Sequence, residues 1–307
     1  MGGNAHFFIF QFYYFCDIIL LSQKLRTQIM RKDGRKIKTI DPMYKVISHI
    51  MVDRNDAMNM IELTVTQDPV RKYIRRKKDE GYTFSHLAVI LAAFIRTVAE
   101  YPFLNRFVVN KKLYARNEIA IGMVVLKPGE TEGTMNKMYF NASNTIFDVQ
   151  KILDEYITTN RGAGETNSTD KIINTLLSIP GLATVGIGIL KWMDKHGLLP
   201  KSIIKASPFH CTMTITNLAS IGTNYIFHHV YNFGTTSMVM AMGNTRDDPI
   251  KRHGEIVFEK VIPIGLVMDE RIAEGVQFAM ACRKLQSILQ NPDVLEMPPE
   301  EVKEDIK

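Results

Sequence analysis

One segment in the first third of the chain constrains the fold most strongly. Residues 87–95 are apolar almost without interruption, and Thr83 or Ser85 just before them is a suitable helix cap. Pro102 ends the helix, because proline cannot continue it. A helix that is apolar nearly all round has to be covered on every side. The sequence therefore predicts a buried helix, over about 81–100, inside a layered domain.

Predicted strands are most frequent in the later part of the chain, and predicted helices are distributed between them. Apolar and β-branched runs bounded by turn residues predict strands at 107–109, 119–126, 137–141, 211–217, 225–231, 236–242 and 255–268. Helical spacing of apolar residues predicts further helices at 144–159, 168–178, 181–196 and 273–290. No linker or repeat interrupts residues 41–295, so we expect one α+β domain there. Residues 296–307 form a charged tail.

The most apolar stretch of the chain, residues 7–22, lies in an N-terminal extension that we place at 1–40. The stretch contains Gln11 and Asp17 and is shorter than the roughly 20 residues of a membrane-spanning helix. It has no basic start or cleavage site of a signal peptide, and His6 breaks the myristoylation pattern. We expect translation to start at Met30, so that the preceding residues are a gene-model artefact, or we expect those residues to be a disordered tail. A weak membrane anchor is the alternative.

The overall composition excludes several classes of protein. Apolar residues make up 46% and charged residues 23% of the chain, which is ordinary for a globular domain. The net charge is only +6, and no basic stripe with interleaved aromatics indicates nucleic-acid binding. Three widely spaced cysteines form neither a disulfide framework nor a metal knuckle. We therefore expect a cytoplasmic protein without a metal site, attached to a membrane only if the N-terminal extension is real.

The glycine-rich apolar segment 181–196 (GLATVGIGILKWMDKH) needs an interpretation of its own. We expect it to be a helix that is buried or faces another subunit. Contact with a membrane, or a cover over an apolar acyl chain, is the alternative.

Several short motifs occur in an order that resembles a known family. They are Ala92-Ala93-Phe94, Glu100–Asn105, Ile119–Gly122, Thr214–Leu218 and Asp269–Gly275. In this order they resemble the catalytic domain of 2-oxo acid dehydrogenase acyltransferases (the E2 components), whose fold is shared with chloramphenicol acetyltransferase. The resemblance covers roughly residues 43–292. It implies a mixed sheet flanked by helices and a homotrimer whose active sites lie between subunits.

The resemblance also implies transfer of an acyl group from a thioester. The lipoyl and peripheral-subunit-binding domains of a full E2 component do not occur in this sequence. We therefore expect a stand-alone acyltransferase with a small-molecule donor and acceptor. A coenzyme A thioester is the expected co-substrate, and no lipoyl group is expected on this chain.

The C-terminal motif departs from the family at its general base. The family reads D-H-R-x-x-D/N-G, and here Asp269, Arg271 and Gly275 keep that frame while Glu270 replaces the histidine and Glu274 the acidic or amide residue. Moving a thiol proton to an ordinary glutamate costs roughly 3 kcal/mol more than moving it to histidine, a handicap above a hundredfold. Glu270 is therefore either an unusual base or, with Glu274, an ion-paired residue in a site that has lost or changed its reaction.

Other residues can take part in such a site. His228 and His229 are adjacent in a predicted strand, so one of them faces inward, as an alternative base or as a structural residue. Thr216 aligns with the family hydroxyl that donates to the oxyanion, and Asn217 also matches the motif. The alternative interpretation is that Thr216 is an ordinary β-branched strand residue without a role in the reaction.

Two functions follow from these patterns. The first is an acyltransferase that uses Thr216 with Glu270 or a histidine. The second is a catalytically inactive trimeric scaffold or acyl-CoA-binding module of the same fold.

Overall fold

The structure is a computed structural model that describes residues 31–126, 133–161, 177–178 and 181–307. The apolar stretch at 7–22 and nearly all of the helix predicted at 168–178 lie outside the described residues.

The described elements are ten strands and seven α-helices. In chain order they are β1 (Gly34–Lys36), α1 (Pro42–Ile50), β2 (Met58–Thr66), α2 (Gln67–Asp79), α3 (His86–Glu100), β3 (Arg106–Val109), β4 (Lys112–Arg116), β5 (Ile119–Leu126), β6 (Gly133–Phe140), α4 (Ile146–Arg161), α5 (Leu182–His196), α6 (Lys201–Ala206), β7 (Met213–Asn217), β8 (Met238–Met242), β9 (Arg246–Arg252), β10 (Glu255–Asp269) and α7 (Gly275–Gln290).

The larger sheet is mixed. Its strand order is β2-β10-β8-β7-β5-β6, and β9 pairs with the first half of β10. Strand β7 runs parallel to both of its neighbours, β5 and β8, whereas the other described pairs are antiparallel. A second sheet has the order β1-β4-β3. The α+β class and the mixed sheet are confirmed.

Helix α3 is the centre of the core. The hydroxyl of Ser85 accepts the backbone N–H of Ala88 at 3.0 Å and caps the helix, as predicted. Ile90 and Ile95 are fully buried, and the helix packs between α4 and α7. The prediction of a helix that is covered all round is confirmed.

One predicted strand, at 225–231, is wrong. This segment is extended but carries no strand pairing, because β8, next to it in the chain, is already paired with β7 and β10. The segment instead crosses the face of the sheet that is turned away from α3, where Val230 packs against Val239 and Val267.

Helix α5 forms as predicted; within this chain it is not buried, and the expectation that it faces another subunit stays a prediction. Val185, Ile189 and Trp192 are more than half exposed. Asp194, near the end of the helix, is buried.

Both predicted domain boundaries fall inside folded structure. Strand β1 pairs with β4, so residues 34–36 belong to the domain rather than to an extension. At the other end, Asp305 forms a buried ion pair with Arg106 at 2.5 Å, and the N–H of Lys303 donates to the carbonyl of Ala99. The charged tail is therefore anchored along the surface.

Candidate active site

Thr216 lies on the open face of the central strand β7. Met213 and Ile215 point into the core and are fully buried, so by strand alternation Thr216 faces the other way. Its neighbours across β8 and β10 are Ala241 and Gly265, which are both small. The sheet therefore has a shallow depression beside the Thr216 hydroxyl.

The segment 224–231 lies in this depression, and two glycines make its close approach feasible. A Cβ atom added at Gly243 would lie 2.3 Å from the backbone nitrogen of Tyr225, and one added at Gly265 would lie 2.5 Å from its ring. No side chain fits at those distances. The two glycines therefore allow the segment to rest directly on the strands.

This packing brings His228 to Thr216. The Nε2 atom of His228 lies 3.2 Å from Oγ1 of Thr216, and the imidazole is half-buried. Burial, with a smaller contribution from the neighbouring His229, lowers the pKa of His228 below its ordinary value. A neutral ring accepts the hydroxyl hydrogen of Thr216 at Nε2, a tautomer that we assign from this contact. His229 is exposed, so His228 is the inward residue.

Asn217, the next residue of the motif, has an unsatisfied atom. Its side-chain Oδ1 is buried and has no hydrogen-bond partner in the described part of the chain. Its backbone carbonyl accepts the hydroxyl of Ser220 at 2.7 Å, within the short 3₁₀ turn that follows β7. A hydrogen-bond acceptor is thus left open one residue after Thr216.

The frame of the C-terminal motif is a buried ion cluster. Asp269 is fully buried and accepts Nη2 of Arg271 at 2.7 Å, while Nε of Arg54 lies 3.5 Å away. Arg271 also donates to the backbone carbonyls of Met51 and Val52. These contacts tie the end of β10 to the segment after α1 and fix the backbone at position 270.

Glu270 is held from strand β2. Its backbone N–H donates to the carbonyl of Ala57 at 2.8 Å, and its Oε2 accepts Nδ2 of Asn59 at 3.0 Å. Asn59 stands opposite Met268 in the antiparallel ladder, which places its amide beside the end of β10. Asn59 belongs to no sequence motif that we recognised, and only the pairing of β2 with β10 identifies it.

Glu274 and Gly275 act in the helix rather than in the site. Glu274 is the N-cap of α7, and its N–H donates to the side chain of Gln277 at 2.9 Å in a reciprocal capping box. A Cβ atom at Gly275 would meet nothing within 4 Å. In the described residues neither Glu270 nor Glu274 forms an ion pair, so the ion-paired arrangement is not found.

A single chain does not bring Glu270 to Thr216. Thr216 is level with Gly265 of β10 through the paired strands, and Glu270 follows five positions later. At about 3.3 Å per residue this is a separation of about 16 Å along the strands. The structure therefore joins Thr216 with His228 and leaves Glu270 at the far end of the sheet.

No metal centre is found in the described ranges, since they contain no group of three His, Cys, Asp or Glu side chains placed to hold an ion. The polar groups that meet at this site are the hydroxyl of Thr216 and the imidazole of His228. These groups are suited to proton transfer and oxyanion binding.

Comparison with solved protein structures identifies the fold. It superposes on a probable dihydrolipoamide acetyltransferase from Listeria monocytogenes 4b F2365 with a TM-score of 0.54 at 15% identity, over 84% of this chain and 95% of the other. It superposes on chloramphenicol acetyltransferase with a TM-score of 0.50 at 12% identity, over 83% and 99%. The chain has the chloramphenicol-acetyltransferase-like fold. At these identities the likeness establishes the fold alone.

Sequence comparison supports the same family. Residues 209–297 match the family described as 2-oxoacid dehydrogenases acyltransferase (catalytic domain). The dihydrolipoyllysine-residue acetyltransferase component of the pyruvate dehydrogenase complex of Bacillus subtilis (strain 168) is 23% identical over 259 residues, 82% of this chain and 50% of that protein. The chain thus spans about half the length of this curated relative. The resemblance found in the motifs is confirmed, and Thr216, His228 and Glu270 all lie inside the matched region.

Proposed function

We propose that this chain is a thioester-dependent acyltransferase in which His228 is the general base and Thr216 the oxyanion donor. The 3.2 Å contact between His228 and Thr216 carries this proposal. The matches to acyltransferase relatives support the class of reaction. A coenzyme A thioester is the donor that this class favours, and the acceptor supplies a thiol or hydroxyl group.

A neutral histidine is a better base here than a glutamate. Moving a proton from a thiol of pKa about 8.5 to an ordinary histidine costs roughly 2.7 kcal/mol, against roughly 5.7 kcal/mol for an ordinary glutamate. Burial lowers the pKa of His228, which adds to the first figure. The same burial keeps the ring unprotonated at neutral pH, so that Nε2 is ready to accept a proton.

Proton transfer and oxyanion binding are coupled through the shared hydrogen bond. In the resting site the Thr216 hydroxyl donates to Nε2 of His228. When Nε2 takes the proton of the acceptor, it no longer accepts, and the Thr216 hydroxyl hydrogen is free to turn to the new oxyanion. The acceptor heteroatom bonds to the thioester carbon, the carbonyl electron pair moves onto oxygen, and collapse expels the thiolate, which takes the proton from His228.

We further propose a homotrimer in which Glu270 reaches this site from a neighbouring subunit. In its own chain Glu270 is about 16 Å from the level of Thr216, so only another subunit can supply it. An unsatisfied buried acceptor such as Asn217 Oδ1 costs about 1–3 kcal/mol, which supports a partner at this face. Beside His228, the carboxylate of Glu270 would stabilise the imidazolium that forms during the reaction.

An inactive trimeric scaffold or acyl-CoA-binding module is the second candidate. The observation that favours it is Glu270 itself, which stands where the family has its base and is held by Asn59. This candidate keeps the fold and the donor site and loses the chemical step.

Release of free thiol from acyl-CoA separates the two candidates. The full chain is mixed with acetyl-CoA or longer acyl-CoAs and with dihydrolipoamide, alcohol or amine acceptors. Acceptor-dependent thiol release that is lost in His228→Gln and kept in His229→Gln supports the enzyme. A wild type that binds acyl-CoA without turnover, and gains turnover in Glu270→His, identifies the inactive module.

A further inference from the structure

Helix α5 displays an apolar stripe to solvent. Val185 is 60%, Ile189 54% and Trp192 57% exposed. Their spacing of four and then three residues places them on one face of the helix. Exposed apolar faces of this kind mark interaction sites.

The opposite face of α5 is firmly attached to the domain. Asp194 is buried and accepts Nη2 of Arg31 at 2.7 Å, and its carbonyl accepts Nη1 of the same side chain at 2.6 Å. Nε2 of His210 lies 3.3 Å from the Asp194 carboxylate. These contacts hold the helix in one orientation, with the apolar stripe directed away from the body.

Positive charge flanks the stripe. Lys191 and Lys195 are exposed and, together with Lys111, line a groove of about 400 Å³ between α5 and the body of the domain. The carboxylate of Asp194, the only acidic residue in α5, is turned inward and ion-paired. The exposed surface of α5 therefore offers apolar groups and cations together.

We propose that α5 docks the protein onto an anionic lipid surface. The apolar stripe enters the boundary between headgroups and acyl chains, and the flanking lysines contact lipid phosphates. Tryptophan favours this boundary, because its ring is apolar and its N–H is polar. The proposal rests on the surface of α5 alone and is independent of the acyltransferase activity.

The dimensions and charges of α5 favour a lipid surface over the other occupants. A helix of 15 residues is about 22 Å long, too short to cross a bilayer. Throughout the described ranges, no helix is long and apolar enough to span a membrane. Two copies docked stripe to stripe would bring Lys191 and Lys195 of both copies into one interface, and that accumulation of like charge disfavours self-association there.

The chain contains one tryptophan, which lies in the stripe and makes a site-specific reporter. The full chain is mixed with vesicles of phosphatidylcholine alone or of phosphatidylcholine and phosphatidylglycerol. We expect a blue shift of Trp192 emission, quenching by brominated lipid, and at least tenfold stronger cosedimentation with the anionic vesicles.

Variants distinguish lipid binding by the α5 stripe from nonspecific binding by other exposed apolar residues. Ile189→Lys should reduce cosedimentation at least tenfold. The matched control is Phe258→Lys on the β9–β10 hairpin, where the side chain is 72% exposed, and it should bind as the wild type does. Lys191→Gln with Lys195→Gln should abolish the preference for anionic lipid. Circular dichroism checks that each variant is folded.

Three outcomes overturn the proposal. One is unchanged Trp192 emission at saturating anionic lipid. Another is binding by Ile189→Lys equal to that of the wild type. The third is a blue shift that grows with protein concentration without lipid, which would show that a second copy covers the stripe.

Discussion

Oγ1 of Thr216 and Nε2 of His228 lie 3.2 Å apart, although one residue is in the central strand and the other in a segment without strand pairing. Strand β7, which carries Thr216, is held by parallel ladders on both sides, and Thr216 itself pairs with Ala241 of β8. His228 is fixed because its segment rests on two glycines of neighbouring strands. The hydroxyl and the imidazole are therefore paired within one chain, before any second subunit contributes.

His228→Gln should lower kcat for acyl transfer by about 10²–10⁴-fold, the usual contribution of a positioned general base. KM for acyl-CoA should change little, since the imidazole acts on the proton of the acceptor. His229→Gln is the matched control, because His229 is adjacent and exposed. Thiol release measured for both variants checks the prediction, and equal losses in the two would contradict it.

The dependence of kcat on pH should report the same imidazole. A base works when it is unprotonated, so kcat rises with pH as His228 loses its proton. Burial lowers the pKa of His228, so in the Glu270→Gln variant, where no carboxylate from a neighbouring subunit faces the ring, this rise should be centred below the ordinary histidine value of about 6.5. The rise should be absent from the residual activity of His228→Gln. A rise centred above pH 7 in Glu270→Gln would exclude His228 as the base.

Mixing two impaired variants should raise activity above that of either one if the site is shared between subunits. In a trimer formed from His228→Gln and Glu270→Gln chains, a site that takes His228 from one chain and Glu270 from its neighbour is intact. Random exchange of equal amounts gives about a quarter of the sites in that state. The measurement is thiol release after unfolding and refolding the variants together.

The control for this experiment refolds each variant alone. Each should keep only its residual activity, and only the mixture should recover turnover. No recovery in the mixture, with trimers confirmed by light scattering, would show that no site combines His228 of one chain with Glu270 of another.

Elements with strong local signals were predictable from the sequence. Helix α3 combines a hydroxyl cap, a continuous apolar run and a terminating proline, and it is found as expected. Strands β5 and β8 are short apolar runs, β7 alternates apolar residues with threonine, and all three form as expected. The motif order was enough to indicate the fold, because several blocks agree along the chain.

Features that depend on long-range pairing were not predictable. The segment 225–231 alternates as a strand does, but no free edge remains for it beside β8. The contact of Asn59 with Glu270 depends on the register of β2 with β10. What covers α5 could not be predicted, because the composition of an apolar helix does not distinguish burial in its own chain from contact with another subunit or a membrane.

Asn59→Ala should reduce the contribution of Glu270 to kcat while leaving the glutamate itself in place. The amide of Asn59 donates to Oε2 of Glu270 and holds the carboxylate in one orientation. We expect about a tenfold loss in kcat, with little change in thermal stability because both groups are half-buried. The same substitution made in the Glu270→Gln background should cost much less. Additive losses in this double-mutant cycle would show that Asn59 acts elsewhere.

Gly243→Ala should show whether acyl transfer needs the imidazole of His228 to be held at Thr216. A Cβ atom at Gly243 would lie 2.3 Å from the backbone nitrogen of Tyr225 and 2.6 Å from Oδ1 of Asn224, so the segment that carries His228 has to lift from the sheet. We expect kcat to fall about as far as in His228→Gln, although the imidazole is still present. The α3 core lies on the other face of the sheet and should stay folded.

Gly188→Ala is the matched control for this substitution. A Cβ atom there meets nothing within 4 Å, and alanine in a helix is more stable than glycine by roughly 0.5–1 kcal/mol. Gly188→Ala should therefore keep full activity and unfold at the same or a slightly higher temperature. Thiol release and thermal unfolding of both variants are the measurements. Full activity in Gly243→Ala would show that acyl transfer does not need His228 held at Thr216.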